Sequence, residues 1–230
     1  MHPFSISHTF VRIKAQLKKI IKPLVPQSFF DWRQAQSIER QNKETLLNWQ
    51  KQGCPLPPPH VVKQQAIRAY QEQYRCAVFI ETGTYMGQMV AAQKLYFKKI
   101  YSIELAEPLF VQAQERFGSD AHITIMQGDS GKVLPKIMVQ IKEPAIFWLD
   151  GHYSGGITAQ GEKDCPIFDE IDAIFADKKY KHILLIDDAR CFVGENDYPT
   201  IEELTAYVRT KDNTYQAEVK DDIIRYTPAE

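Results

Sequence analysis

At 230 residues and 44% apolar content the chain can bury one good core, which suits a single domain with an appendage rather than two full domains. A formal net charge of -1, with 25% of residues charged, calls for neither nucleic acid nor an acidic polymer as partner. No run approaches the roughly 20 apolar residues of a membrane span, and the N-terminus lacks the apolar stretch of a secretory signal, so a soluble, cytoplasmic protein is expected. Cys54, Cys76, Cys165 and Cys191 are widely spaced with no C-x-x-C pair, which argues for reduced thiols rather than a zinc ribbon or a disulfide framework.

In chain order, Phe10, Ile13, Leu17, Ile20, Ile21 and Leu24 recur at helical spacing, and Pro23 and Pro26 should end that helix. Five basic residues and no acid lie between Met1 and Phe30, so the remainder carries -1 - 5 = -6. Such a helix suits peripheral contact with an anionic membrane, or packing on the domain or on a second subunit of a homodimer. A second helix is expected from about Asp31 to Trp49, and the run from Cys54 to His60 reads as a stiff proline linker. The domain boundary is placed there, with a helical extension over 1–59 and an α/β domain over 60–230.

After a helix at Val61–Tyr74, short apolar runs alternate with helical segments. Strands are expected at Ala77–Glu81, Ile100–Glu104, Ile123–Met126, Ala145–Asp150 and Ile183–Asp187. Helices fit at Gln88–Phe97, Pro108–Phe117, Lys132–Ile141 and Pro166–Ala176, followed by a helix at Ile201–Val208 and a closing hairpin of Tyr215–Val219 with Ile223–Tyr226. This pattern predicts a doubly wound, mostly parallel seven-stranded sheet with helices on both faces.

Ligands of such sheets bind at the carboxyl ends of the strands. The first strand runs into Glu81-Thr-Gly83-Thr84-Tyr85-Met-Gly87, where the glycines permit a tight turn and close backbone approach, in a spacing unlike the G-x-G-x-x-G of dinucleotide sites. Glu104, ending the second strand, can accept hydrogen bonds from both hydroxyls of a ribose. After the third, Gly128-Asp129-Ser130 offers a carboxylate for an adenine amine, so one nucleoside could lie across three strand ends. Asp129 could equally cap the helix that follows. The fourth and fifth strands should be neighbours, and Asp150 with Asp187 and Asp188 would then crowd three carboxylates at one rim. That is unfavourable unless a divalent cation or a basic group compensates.

The stretch from Ala77 to Arg190 resembles the class I S-adenosylmethionine (SAM)-dependent methyltransferase family, and within it the metal-dependent O-methyltransferases, including those acting on antibiotic sugars. The resemblance implies a Rossmann-like methyltransferase fold and SAM bound by Glu81, Gly83, Thr84, Tyr85, Gly87, Glu104, Gly128, Asp129, Ser130 and Asp150. It also implies Mg²⁺ or Mn²⁺ held by Asp150, Asp187 and Asp188, although many members carry Asp-Asn where this chain has Asp187-Asp188. His152 falls where related sugar methyltransferases carry a general base, and its ordinary pKa near 6.5 suits that task. The implied acceptor is a hydroxylated small molecule, a sugar or glycosylated metabolite. The residues also leave open a metal-independent transfer to another acceptor and a non-catalytic cofactor-binding scaffold. His122 and His182, flanking strands, are expected to be structural.

Overall fold

A computed structural model describes residues 27–151 and 165–229. The expected N-terminal helix over 10–24, together with His152, Tyr153 and the Ser154–Gly156 turn, lies outside the described residues. The chain divides into two compact units, Met1–Lys51 and Gln52–Glu230. In the first, α1 runs Gln27–Lys51, longer at both ends than the sequence suggested.

In the second unit, α2 (His60–Tyr74) precedes β1 (Val78–Thr82), α3 (Gln88–Gln93), β2 (Lys99–Glu104), α4 (Glu107–Phe117), β3 (Ile123–Gln127) and α5 (Ser130–Met138). There follow β4 (Ala145–Leu149), α6 (Ile167–Phe175), β5 (Ile183–Ile186), a 3₁₀ turn at Ala189–Cys191, α7 (Ile201–Lys211), β6 (Tyr215–Lys220) and β7 (Ile223–Pro228). The strands form one seven-stranded sheet in the order β3-β2-β1-β4-β5-β7-β6. Strands β1 to β5 pair in parallel, whereas β7 runs antiparallel to both β5 and β6.

Each central strand is buried on both sides, so alternate residues feed two different cores. Ile80, Phe147, Leu149, Leu184 and Ile186 pack with Leu134, Ile171 and Leu204 of α5, α6 and α7. Phe79, Ile146, Trp148 and Leu185 face the other way, onto Ile67, Val90 and Phe117 of α2, α3 and α4. The sheet is therefore sandwiched between helices, as expected of a doubly wound fold.

Two helices depart from their expected bounds for local reasons. α3 stops at Gln93, because Leu95 is 85% exposed and gains nothing from a further helical turn, while Phe97 leaves the helix to pack its ring 5.1 Å from that of Phe79. α5 begins at Ser130, earlier than expected, because the Asp129 side chain accepts a hydrogen bond from the Gly131 amide and caps it.

The sheet order reverses between β1 and β4. Both neighbours leave β1 in opposite directions, so the connections part and open a crevice above the carboxyl ends of these two strands.

Candidate cofactor cleft and acid rim

The loop after β1 is fixed by its own backbone. The amides of Gly83 and Thr84 both donate to the Ile103 carbonyl, at 2.9 and 3.1 Å, and the Gly87 amide donates to the Thr84 carbonyl at 2.8 Å. Gly83 has φ +84° and lies so close to β4 that a Cβ would sit 2.2 Å from the Asp150 carbonyl oxygen. Only glycine fits there. Tyr85 also adopts a left-handed conformation, φ 48°, and its side chain is about half exposed at the mouth of the loop.

Glu104 is buried at the end of β2, where its two oxygens accept from the backbone amides of Tyr85 at 2.7 Å and Ala106 at 2.8 Å. Each carboxylate oxygen has a second lone pair, which leaves acceptor capacity for a diol. Beneath it, the Thr84 and Ser102 hydroxyls lie 2.6 Å apart, and Ser102 donates to Glu81 at 2.5 Å. Burial raises the Glu81 carboxyl to about 8, against the Ser102 bond that lowers it. Glu81 thus supports the loop from below. Beyond β3, Gly128 has φ +135°, Asp129 caps α5, and Ser130 is buried.

The fourth and fifth strands end as neighbours, with the Asp150 amide on the Thr82 carbonyl at 3.1 Å and the Asp187 amide on the Leu149 carbonyl at 3.0 Å. Asp150, Asp187 and Asp188 therefore do gather at one rim. Among the two ways of offsetting their charge, the structure contains the basic one. Lys63, near the start of α2, places Nζ 2.5 Å from Asp187 Oδ2 and 3.4 Å from Asp188 Oδ1. Arg190 donates to Asp188 Oδ1 at 2.9 Å and also pairs with the buried Asp222. The remaining Asp187 oxygen, Oδ1, accepts from the Asp188 amide at 2.8 Å.

These contacts set the ionisation of the cluster. Burial, with repulsion from Asp187 and Asp188, drives the Asp150 carboxyl well above its ordinary range. Burial raises Asp187 to about 6 against the pull of Lys63. For Asp188 the penalty of burial is outweighed by Lys63 and Arg190, which hold its carboxyl below the usual value. Desolvation of Lys63 is likewise outweighed by its carboxylates, Asp187 foremost, and its pKa is raised.

The carboxylates of Asp187 and Asp188 are already engaged within the protein. Three of their four oxygens accept hydrogen bonds: Asp187 Oδ2 from Lys63, Asp187 Oδ1 from the Asp188 amide, and Asp188 Oδ1 from both Lys63 and Arg190. Among the described residues no group of three or more potential ligands converges on a metal-sized point. Of the three acids expected to hold a metal, Asp187 and Asp188 are engaged in ion pairs, because α2 delivers an ammonium to them.

One buried group was not foreseen. Glu170, in the first turn of α6, is fully buried, and neither carboxylate oxygen has a hydrogen-bond partner of good geometry, although the Ser130 and Thr82 hydroxyls act on it. It lies against Gly151, where a Cβ would sit 3.2 Å from Glu170 Oε1, 3.2 Å from Thr82 Oγ1 and 3.3 Å from Ser130 Oγ. Burial raises its pKa to about 7, moderated by those two hydroxyls. Its spacing from Ile167, Ile171 and Ile174 puts it on the apolar face of α6, which was a readable sign of burial. Lys63 carries the same sign, heading the stripe continued by Ala66 and Ile67.

The two histidines beside strands are structural. His182 Nδ1 accepts from the Ala145 amide at 3.2 Å, and burial lowers its pKa to about 4. His122 Nε2 lies 2.9 Å from the Lys94 carbonyl. All four cysteines are free, and no helix among the described residues is long and apolar enough to cross a membrane.

No protein-family model and no curated protein sequence matches the chain. Its architecture is nonetheless shared with solved structures. An O-methyltransferase from Bacillus cereus in complex with S-adenosylhomocysteine (SAH) superposes with a TM-score of 0.53 at 10% identity, over 93% of this chain and 96% of that one. TomG, an O-methyltransferase from Streptomyces achromogenes involved in tomaymycin synthesis and solved with SAM, gives 0.52 at 11% identity over 82% and 89%. The SAH-bound methyltransferase PaMTH1 from Podospora anserina gives 0.50 at 12% identity over 100% and 99%. The chain has the Rossmann-like fold of class I methyltransferases, and at these identities the likeness is one of fold.

Proposed function

We propose that the protein is a SAM-dependent methyltransferase that transfers the methyl group to a hydroxyl of a small molecule. The observation that carries this reading is the loop after β1, whose amides at Gly83, Thr84, Tyr85 and Gly87 are all spent within the protein. A pyrophosphate would need such amides free. A nucleoside without phosphates needs only the glycine-permitted close approach and the remaining lone pairs of Glu104, which is what SAM presents and NAD does not.

In this reading Glu104 receives the ribose hydroxyls, and Ser130 with the backbone of Gly128 and Asp129 flanks the adenine. Gly83, Thr84, Tyr85 and Gly87, braced by Glu81, line the methionine side, with Asp150 across the crevice. SAM supplies an electrophilic methyl. As the S–CH₃ bond breaks and an O–CH₃ bond forms, the sulfonium becomes a neutral thioether and the hydroxyl proton passes to a base. His152 is the candidate for that base on sequence grounds. The protein's own part is to orient the reactants and exclude water. Transfer to oxygen is supported by the names of the fold relatives from Bacillus cereus and Streptomyces achromogenes and by an acid rim that can accept a hydroxyl hydrogen bond. The reading needs no metal, because Lys63 and Arg190 already engage Asp187 and Asp188.

Calorimetric titration tests the cofactor class. SAM and SAH should each bind one per chain while NADH does not; binding of NADH, or of none of the three, would overturn the reading.

A further inference from the structure

We infer that Lys63 is the resident cation of the acid rim, standing where a divalent ion would stand, so that this site works without bound metal. The inference deepens the proposed methyltransferase reading and rests on it only for what the rim is used for. Three observations carry it. Lys63 is delivered by the buried stripe of α2, and its side chain is 14% exposed beside an Asp187 that is 2% exposed, so the pair is a built feature and not a surface contact. Its ammonium bridges both adjacent acids, at 2.5 and 3.4 Å. Arg190 pairs with the same oxygen of Asp188, Oδ1, and ties it to Asp222.

A divalent ion binds carboxylate oxygens directly, at roughly 2.1 Å for Mg²⁺, so it must displace the ammonium and then endure its positive charge nearby. An ammonium has three N–H donors. Two are accounted for by Asp187 and Asp188, which leaves a third to meet an acceptor oxygen at the rim. Lys63 would then do by hydrogen bonding and charge what a Lewis-acidic ion does by coordination.

The test is a Mn²⁺ titration followed by electron paramagnetic resonance, on the full chain, with SAH binding measured in parallel. Wild type should show no stoichiometric Mn²⁺ binding in the millimolar range. Lys63→Ala should bind one Mn²⁺ per chain at least about tenfold more tightly than wild type, since a repelling charge has gone from a partly buried site, and adding Asp187→Asn should abolish the gain. Should Lys63→Ala not fold, Lys63→Met keeps the apolar stem and makes the same prediction. Stoichiometric Mn²⁺ binding by wild type that Asp187→Asn removes would overturn the inference, as would a folded Lys63 variant with no gain. Failure of SAH to bind, with the Mn²⁺ results as predicted, would instead sink the methyltransferase reading alone.

Discussion

The two sides of the crevice are organised by different physics. On the side of β1, β2 and β3, the groups that would meet a nucleoside are held by backbone amides: Glu104 by those of Tyr85 and Ala106, and the loop after β1 by the Ile103 carbonyl. On the side of β4 and β5, the acids are held by side-chain cations, Lys63 and Arg190, one of which comes from a helix that precedes the whole sheet. Backbone donors cannot be removed by a side-chain substitution, whereas a restraint made by Lys63 and Arg190 can be undone by one. The first side is thus suited to a constant partner, and the second to a reacting group.

The largest effect expected from breaking this arrangement is at its seam. Gly83→Ala places a methyl group 2.2 Å from the Asp150 carbonyl at a φ of +84°, so a loss of about 4 kcal/mol or more is expected in chemical denaturation, with SAH binding lost.

Next come the buried charges. Glu170 holds its proton up to about 7 instead of the ordinary 4.5. The folded state therefore keeps a proton that the unfolded state releases between these values, and the associated stability, complete below pH 4.5, drains away as pH rises through 7. Glu170→Gln should remove that drain and make the protein more stable than wild type at pH 8 by about 3 kcal/mol, with little difference at pH 4. An unchanged pH profile of the thermal midpoint would show that the carboxyl finds a partner. Lys63→Ala, without added metal, should cost about 3 kcal/mol at pH 8 because it strands buried carboxylates.

Smaller effects separate the two sides. Glu104→Gln should weaken SAH binding about tenfold, or 1.4 kcal/mol, while leaving the ion pairs at Lys63 intact. Asp129→Ala should cost about 1 kcal/mol through loss of the α5 cap, whereas Asp129→Asn keeps the cap. Weaker SAH binding by Asp129→Asn at unchanged stability would assign the residue to the adenine as well as to the helix.

The sequence discloses the backbone-organised side more fully than the other. Glycines at turns, acids at strand ends and alternating apolar runs are local signals, and they place Gly83, Gly87, Glu104 and Asp129 at or just beyond the carboxyl ends of β1, β2 and β3. The five parallel strands and the closing hairpin were legible for the same reason, since each is a short apolar run bounded by turn residues. The charge-organised side was legible only in part. Asp150, Asp187 and Asp188 announce themselves, but their partner Lys63 lies 124 residues before Asp187, and no local pattern connects them. What can be read is that Lys63 and Glu170 sit on apolar helix faces, a position that demands a buried explanation. The bounds of α3 and α5 were missed because tertiary packing of Phe97 and the Asp129 cap decided them.

The central claim is that one side of the crevice is built for a phosphate-free nucleoside. It is tested most directly by titrating SAH, with NADH as the control ligand, into wild type and Glu104→Gln side by side. One SAH per chain in wild type, about tenfold weaker binding in the variant and none of NADH are predicted; NADH binding, or equal SAH affinity in the two proteins, would contradict it.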